Sequence, residues 1–181
     1  MKVIAVTGSP EKTGYTNTLI NAFCDSARQA GHEIVHYDVN AMYLRGCQSC
    51  KACKKADLTY CVIKDDLRPY WQDLQQAGAL IVGAPNYASN VCGPMITYMN
   101  RHYCLIGEDL QVRHPLPIKL IGVFSQGRPD ASTYRDVYTW YLSDFERRGM
   151  TLIDLLIHTG YEPLTPDHPL MQRACELGKI L

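Results

Sequence analysis

Short runs of branched apolar residues alternate with longer amphipathic stretches along this chain, and the alternation limits the possible folds more than any other feature. Residues 3–6, 80–82, 120–124 and 152–157 are short and dominated by Val, Ile and Leu. Such runs read as parallel strands covered on both faces. Residues 33–37 fit a more exposed strand nearer a sheet edge. Between the strands lie helical faces. Thr16, Leu19, Ile20, Phe23 and Ala27 form one stripe, and Leu67, Tyr70, Trp71 and Leu74 a second. Tyr134, Val137, Tyr138, Tyr141, Leu142 and Phe145 form a third. A shorter helix is expected over 94–104, and a last one from 169 to the end. Strand and helix in turn, five times over, predict a doubly wound α/β fold, a five-stranded parallel sheet with helices on both faces.

The chain has 181 residues, which suits one domain with a full two-sided core. A single domain over 1–181 is therefore expected, with a cysteine-rich loop insertion at about 41–64. Formal net charge is zero, so nothing points to nucleic acid or an anionic membrane as partner. The apolar run in residues 1–10 is too short for a membrane helix and lacks the pattern of a signal peptide. The expected location is the cytoplasm, where thiols stay reduced and clustered cysteines bind metal or do redox chemistry more often than they form bridges.

In doubly wound sheets, ligands bind beyond the carboxyl ends of the strands. The first strand runs into Thr7-Gly8-Ser9-Pro10, with Gly14, Tyr15, Thr16, Asn17 and Thr18 following before and within the next helix. Glycines admit a ligand close to the backbone, and hydroxyls at a helix N-terminus suit a phosphate. Neither G-x-G-x-x-G nor G-x-x-x-x-G-K-[ST] is present, which disfavours a dinucleotide or nucleoside-triphosphate loop. A monophosphate held by the Ser9, Thr16 and Thr18 hydroxyls fits better; a plain turn with a threonine cap is the other reading. After the third strand, residues 83–94 read as a polar loop with one aromatic. Tyr87 would wall a flat ring, and the backbone from Asn86 to Asn90 would meet its polar edge. Ser125-Gln126-Gly127 follows the fourth strand as another small-residue turn at the same rim.

Taken in order, Thr7-Gly8-Ser9-Pro10, Gly14, Thr16, the run Gly-Cys-x2-Cys-x2-Cys with a later Cys and Asp65-Asp66, Ala84-Pro85-Asn86-Tyr87 and Asn100-Arg101 resemble the NADPH-dependent FMN reductase family, and within it the iron–sulfur flavoprotein branch. The resemblance covers roughly residues 1–130 in motif order. It implies a flavodoxin-like fold with strand order 2-1-3-4-5, bound FMN, and a homodimer or homotetramer. It also implies electron transfer from NAD(P)H or a ferredoxin. Carried over by position, Ser9, Pro10, Tyr15, Thr16, Asn17 and Thr18 would surround the FMN phosphate. Pro85, Asn86, Tyr87, Ser89 and Asn90 would flank the ring, with Ser125, Gln126 and Gly127 below it. Four residues depart from the family: Glu11 stands where a basic residue is frequent, Tyr15 where Asn is usual, Met95 where Lys is frequent, and Asn100 where the family has Asp.

Four of the eight cysteines fall at Cys47, Cys50, Cys53 and Cys61. The first three follow the ferredoxin-type C-x2-C-x2-C rhythm, and Cys61 is placed to complete a four-thiolate set for one 4Fe–4S cluster. Zinc, disulfides and a cysteine loop without a cluster are the competing readings. Arg45, Lys51, Lys54, Lys55 and Lys64 surround the group and would stabilise a dianionic cluster. Cys24, Cys104 and Cys175 are expected to be buried small hydrophobes, Cys92 a packing thiol, and Asp65-Asp66 a helix N-cap. No histidine shows ligand or catalytic spacing.

These readings add up to an FMN-binding redox enzyme passing electrons between NAD(P)H or ferredoxin, FMN and a 4Fe–4S cluster or small acceptor. No catalytic side chain is assigned, because a flavin carries its own chemistry. The alternatives are a cluster-free NAD(P)H-dependent FMN or quinone reductase, and a non-enzymatic electron carrier or redox sensor.

Overall fold

The branched apolar runs become the inner strands of one twisted sheet in the computed structural model, which describes residues 1–55, 60–113 and 117–181. Strands β1 (Lys2–Thr7), β2 (Glu33–Asp38), β3 (Ala77–Tyr87), β5 (Lys119–Gln126) and β6 (Thr151–Thr159) are parallel, in the order β2-β1-β3-β5-β6. A two-residue strand, β4 (Asn90–Val91), folds back antiparallel on the end of β3. Leaving β4 aside, this is the expected five-strand order. Helices α1 (Tyr15–Gln29), α2 (Tyr70–Gln76), α3 (Gly93–Arg101), α4 (Arg135–Glu146) and α5 (Pro169–Lys179) cover the sheet.

Successive strand residues point to opposite faces, and each face has its own core. Val3, Ala5, Ile81, Ile121 and Val123 pack under α1 and α5 with Leu19, Phe23 and Leu177. Ile4, Val6, Leu80, Val82, Leu120 and Phe124 pack under α2, α3 and α4 with Trp71, Tyr98, Tyr141 and Phe145. Each large side chain so buried contributes on the order of 1.5–3 kcal/mol by leaving water. The second face is unusually aromatic. His102 lies there, with ring centroids 4.6 Å from Tyr98, 4.9 Å from Phe145 and 5.4 Å from Trp71.

Three boundaries differ from the sequence reading. Residues 84–87, read as loop, continue β3, because Ala84 and Pro85 pair with Phe124 and Ser125 of β5, and Asn86 and Tyr87 with Val91 and Asn90 of β4. β5 likewise runs through Ser125 and Gln126. The helix expected over 94–104 stops at Arg101 and tightens into a 3₁₀ turn over His102–Leu105. Asp65-Asp66 caps no helix, since α2 starts only at Tyr70, behind Pro69. These two acids instead tie the two ends of the cysteine loop: Asp66 accepts from Tyr43 N at 2.7 Å, and Asp65 from Arg45 N at 3.1 Å. Residues 56–59 of the expected 41–64 insertion lie outside the described residues.

Candidate functional site

Strands β1, β3 and β5 end at one rim, and their turns meet there. Gly14 carries no side chain to cap α1, so the first-turn N–H groups of Tyr15, Thr16 and Asn17 have no intrahelical acceptor. The helix dipole adds partial positive charge at the same place. Asn17 shapes the turn in front of them: its Oδ1 accepts from Thr7 Oγ1 at 2.6 Å and its Nδ2 donates to Glu11 O at 2.8 Å. Ser9 is buried and donates to the same carbonyl at 3.3 Å. Thr18 Oγ1 donates to Thr13 O at 3.4 Å. Pro10 and Glu11 face solvent, so the Glu11 departure places no carboxylate inside the turn. Gly8 is required by a close approach, since any Cβ there would overlap the Met95 side chain and lie 2.8 Å from Cys92 Sγ. Cys92 itself is buried, its thiol directed at Gly8 O at 3.3 Å.

Thr16 Oγ1 lies 2.8 Å from Ser125 Oγ, which joins the first turn to the end of β5. Beyond them the β3–β4 hairpin turns through Ala88 and Ser89, both left-handed at φ 50° and 63°. Two successive left-handed residues give the tight turn that matches strand twist, usually made with glycine. Pro85 is buried beneath it, while Tyr87 stands half exposed with Ser89 and Asn90 at the rim. The Nδ2 of Asn86 is buried, beside the Tyr138 hydroxyl. Gln126 is held in place: its amide donates to Arg128 O and Asp130 O at 3.1 and 2.8 Å, and its oxygen accepts from Tyr138 at 3.0 Å. Any contact from Gln126 to a ligand runs through its backbone; Gly127 beside it is exposed.

One contributor escaped the sequence reading. His158, at the end of β6 and paired in register with Ser125, is buried and stacks on Tyr15 at 4.0 Å. Burial pushes its imidazole below the usual histidine range, and its Nε2 donates to Glu162 O at 2.8 Å. Tyr15 OH donates in turn to Tyr161 O at 3.0 Å. Tyr15 therefore closes the first turn from the side. A solitary histidine late in the chain carries no local signal for that packing.

The cysteine loop lies along α3 and the 3₁₀ turn. Cys53 is buried and Cys61 half-buried, while Cys47 and Cys50 are exposed. Cys47 and Ser49 line a cleft of about 410 Å³ with Asn100, Tyr103 and Arg148; Cys50 lines another of about 470 Å³ with Lys51, Lys55 and Glu108. Among the described residues, no three His, Cys, Asp or Glu side chains converge in ligating geometry. Within the loop, Ser49 and Lys51 are both left-handed, at φ 51° and 54°. Left-handed residues of this kind form amide-lined concavities at phosphate and Fe–S sites. Arg101 enters from the other side: its Nε donates to Cys61 Sγ at 3.2 Å, and its buried Nη2 finds no partner among the described residues. Lys54 donates to Tyr103 O at 2.6 Å and to Ile106 O. Cys104, buried beside this group, is held protonated: burial pushes its thiol up to about 12. Of the other cysteines expected to be packing residues, Cys24 is buried and Cys175 half-buried.

The model of the NADPH-dependent FMN reductase family matches residues 1–140. The chain belongs to that family. This FMN reductase-family chain is accordingly an FMN-dependent oxidoreductase with a nicotinamide donor. Among curated relatives, an iron–sulfur flavoprotein of Methanosarcina thermophila is 24% identical over 184 residues, covering 100% of this chain and 93% of its own length. An iron–sulfur flavoprotein of Archaeoglobus fulgidus is 32% identical over 101 residues, 56% of this chain and 48% of its own length. Of solved structures, an NAD(P)H:quinone oxidoreductase from Methanothermobacter marburgensis superposes with a TM-score of 0.76 at 17% identity, over 99% of this chain and 94% of that one. An archaeal flavodoxin superposes with a TM-score of 0.58 at 16% identity, over 99% of this chain and 94% of its own. At these identities the structural likeness establishes the flavodoxin-like fold. Among the described residues, no helix is long and apolar enough to cross a membrane.

Proposed function

We propose that the rim binds FMN and that Cys47, Cys50, Cys53 and Cys61 hold a 4Fe–4S cluster, making the chain an iron–sulfur flavoprotein. The observation that carries the FMN placement is the convergence of three turns, joined by the 2.8 Å Thr16–Ser125 contact. Ser9, Thr16 and Thr18, with the first-turn N–H groups, receive the phosphate dianion; Pro10, Tyr15 and Asn17 hold the shape of that turn. Pro85, Asn86, Tyr87, Ser89 and Asn90 border the ring on one side, and Ser125, Gln126 and Gly127 on the other. Bound FMN supplies acceptance of a hydride and its release as single electrons. The residues' task is to bind and orient: Tyr87 walls the ring, and the small hairpin residues leave its outer face open to a nicotinamide.

The cluster reading draws on the names of the relatives, the four-thiol spacing, the left-handed Ser49 and Lys51 and the unmatched Arg101 N–H. A 4Fe–4S cluster exchanges single electrons, so ferredoxin or a small acceptor is the fitting partner. We also place the protein in the cytoplasm, as one domain assembling into homodimers or homotetramers. Protein purified without oxygen is expected to show flavin and iron–sulfur absorbance together, quench added FMN fluorescence, and carry close to four irons and four sulfides per chain. Unquenched FMN would remove the first assignment, and absent iron and sulfide the second.

The exposure of Cys47 and Cys50, each on a separate cleft, favours a second reading in which the chain is a cluster-free NAD(P)H:quinone or FMN reductase. Turnover with NADPH and a quinone that Cys47→Ser leaves unchanged would select it.

A further inference from the structure

Arg101 ends α3 and is only 1% exposed. Its guanidinium faces the cysteine loop. Nη1 pairs with the buried Asp65 carboxylate and donates to Arg45 O at 2.9 Å. Nε donates to Cys61 Sγ at 3.2 Å, and Nη2 is buried with no partner among the described residues. Asp65 is held in turn by Arg45 N at 3.1 Å and Leu67 N at 3.2 Å. A buried cation is costly unless its hydrogens are taken up. A neutral thiol is a weak acceptor, so this arrangement satisfies Nε poorly and Nη2 not at all. An anionic sulfur site would satisfy both through charge-assisted hydrogen bonds.

We propose that Arg101, fixed by Asp65, is a positioning residue of the cysteine site that donates N–H···S hydrogen bonds to its sulfurs and so sets the cluster's reduction potential. The proposal rests on the cluster reading above. With a cluster held there, its one-electron reduction would add one negative charge beside the guanidinium, with no bond made or broken and no proton moved. Hydrogen bonds and positive charge at the sulfurs favour that reduced state, and the Asp65 carboxylate opposes it. Removing the two groups therefore has opposite signs. Asp65→Asn leaves the guanidinium in place without its counter-ion and makes the cluster easier to reduce. Arg101→Gln in the Asp65→Asn background, which leaves no unpaired buried charge, makes it harder.

The test uses the full chain with FMN bound, reconstituted without oxygen with ferrous iron and sulfide. Iron and sulfide per chain are measured first, then the cluster and flavin midpoints by absorbance during reductive titration. Relative to wild type, the double variant is expected to shift the oxidised-to-reduced cluster ratio about tenfold toward oxidised, about 59 mV for one electron. Asp65→Asn is expected to shift it the other way, with the flavin midpoint unmoved in both. A wild-type chain that takes up no iron overturns the cluster reading itself, before any variant is compared. Loaded variants at the wild-type midpoint, or shifted in the same direction, overturn the role of Arg101 and leave the cluster standing. If the double variant does not fold, Arg101→Lys, which keeps the charge but removes the Nε and Nη2 donors, is read instead: a shift toward oxidised is expected, and a wild-type midpoint overturns the role of Arg101.

Discussion

His102 shows how one side chain constrains the conditions in which the fold survives. It is fully buried, its Nε2 accepting from Tyr70 OH at 2.8 Å while its Nδ1 donates to Tyr98 O at 3.2 Å. Tyr98 OH donates to Tyr70 at 2.6 Å, so the three groups form a closed ring of hydrogen bonds. Burial pushes the imidazole down to about 3, against the weaker upward pull of the Tyr98 carbonyl. Between about pH 6.5 and 3 the unfolded chain then binds a proton that the native chain refuses. Stability is expected to be full above pH 6.5 and to fall as pH drops, with a slope up to about 1.4 kcal/mol per pH unit from this group. Urea midpoints at stepped pH would show it, and His102→Phe should flatten that part of the profile. At the rim, Thr16→Val removes a hydroxyl from the proposed phosphate turn while keeping its volume. A tenfold to hundredfold loss of FMN affinity in a fluorescence-quenching titration is expected, the value of one or two hydrogen bonds to a charged group. Residues of this kind differ in how far the sequence exposes them. Ser9 and Thr16 are legible because hydroxyls and glycines after a buried strand have few other uses. Arg101 is not, because arginine defaults to the surface and its acid lies 36 positions away in a doublet that mimics a helix cap.

Among the elements, α1 and α5 make the tightest helix contact, and Gly178 is where they touch. A Cβ at Gly178 would overlap Phe23 O and lie 2.9 Å from Ala27 N, both backbone atoms that cannot rotate aside. Alanine is the better helix former by about 1 kcal/mol, so propensity alone predicts that Gly178→Ala stabilises. The contact predicts the reverse: net destabilisation of about 1–3 kcal/mol as the helices are forced apart, measurable by urea denaturation. The strands and the longer helices were legible from period alone, since runs buried on both faces must be apolar throughout. Their ends were not. The extension of β3 depends on the pairing of Ala84 and Pro85 with β5, far away in sequence, and of Asn86 and Tyr87 with β4, and polar small residues there look like loop. The same polarity that hides the strand also leaves room for a ligand at its tip.

The two cores lie on opposite faces of one sheet whose middle strands belong to both. The single-domain reading predicts that far-UV dichroism and tryptophan fluorescence report one coincident unfolding transition. FMN at one hundred times its dissociation constant adds about 2.7 kcal/mol through mass action. At this chain length that raises the melting temperature by about 5–10 °C. Two separated transitions would divide the chain, and an unshifted melting point would remove FMN from the rim. One rod also spans the molecule's two working ends. α3 leaves the hairpin at Cys92 and Gly93, carries Met95 under the first turn, and nine residues on delivers Arg101 to Cys61. That is about 13 Å of helix. Flavin and iron would then lean on a common beam, so whatever factor filling one berth lends to the other must be returned in equal measure.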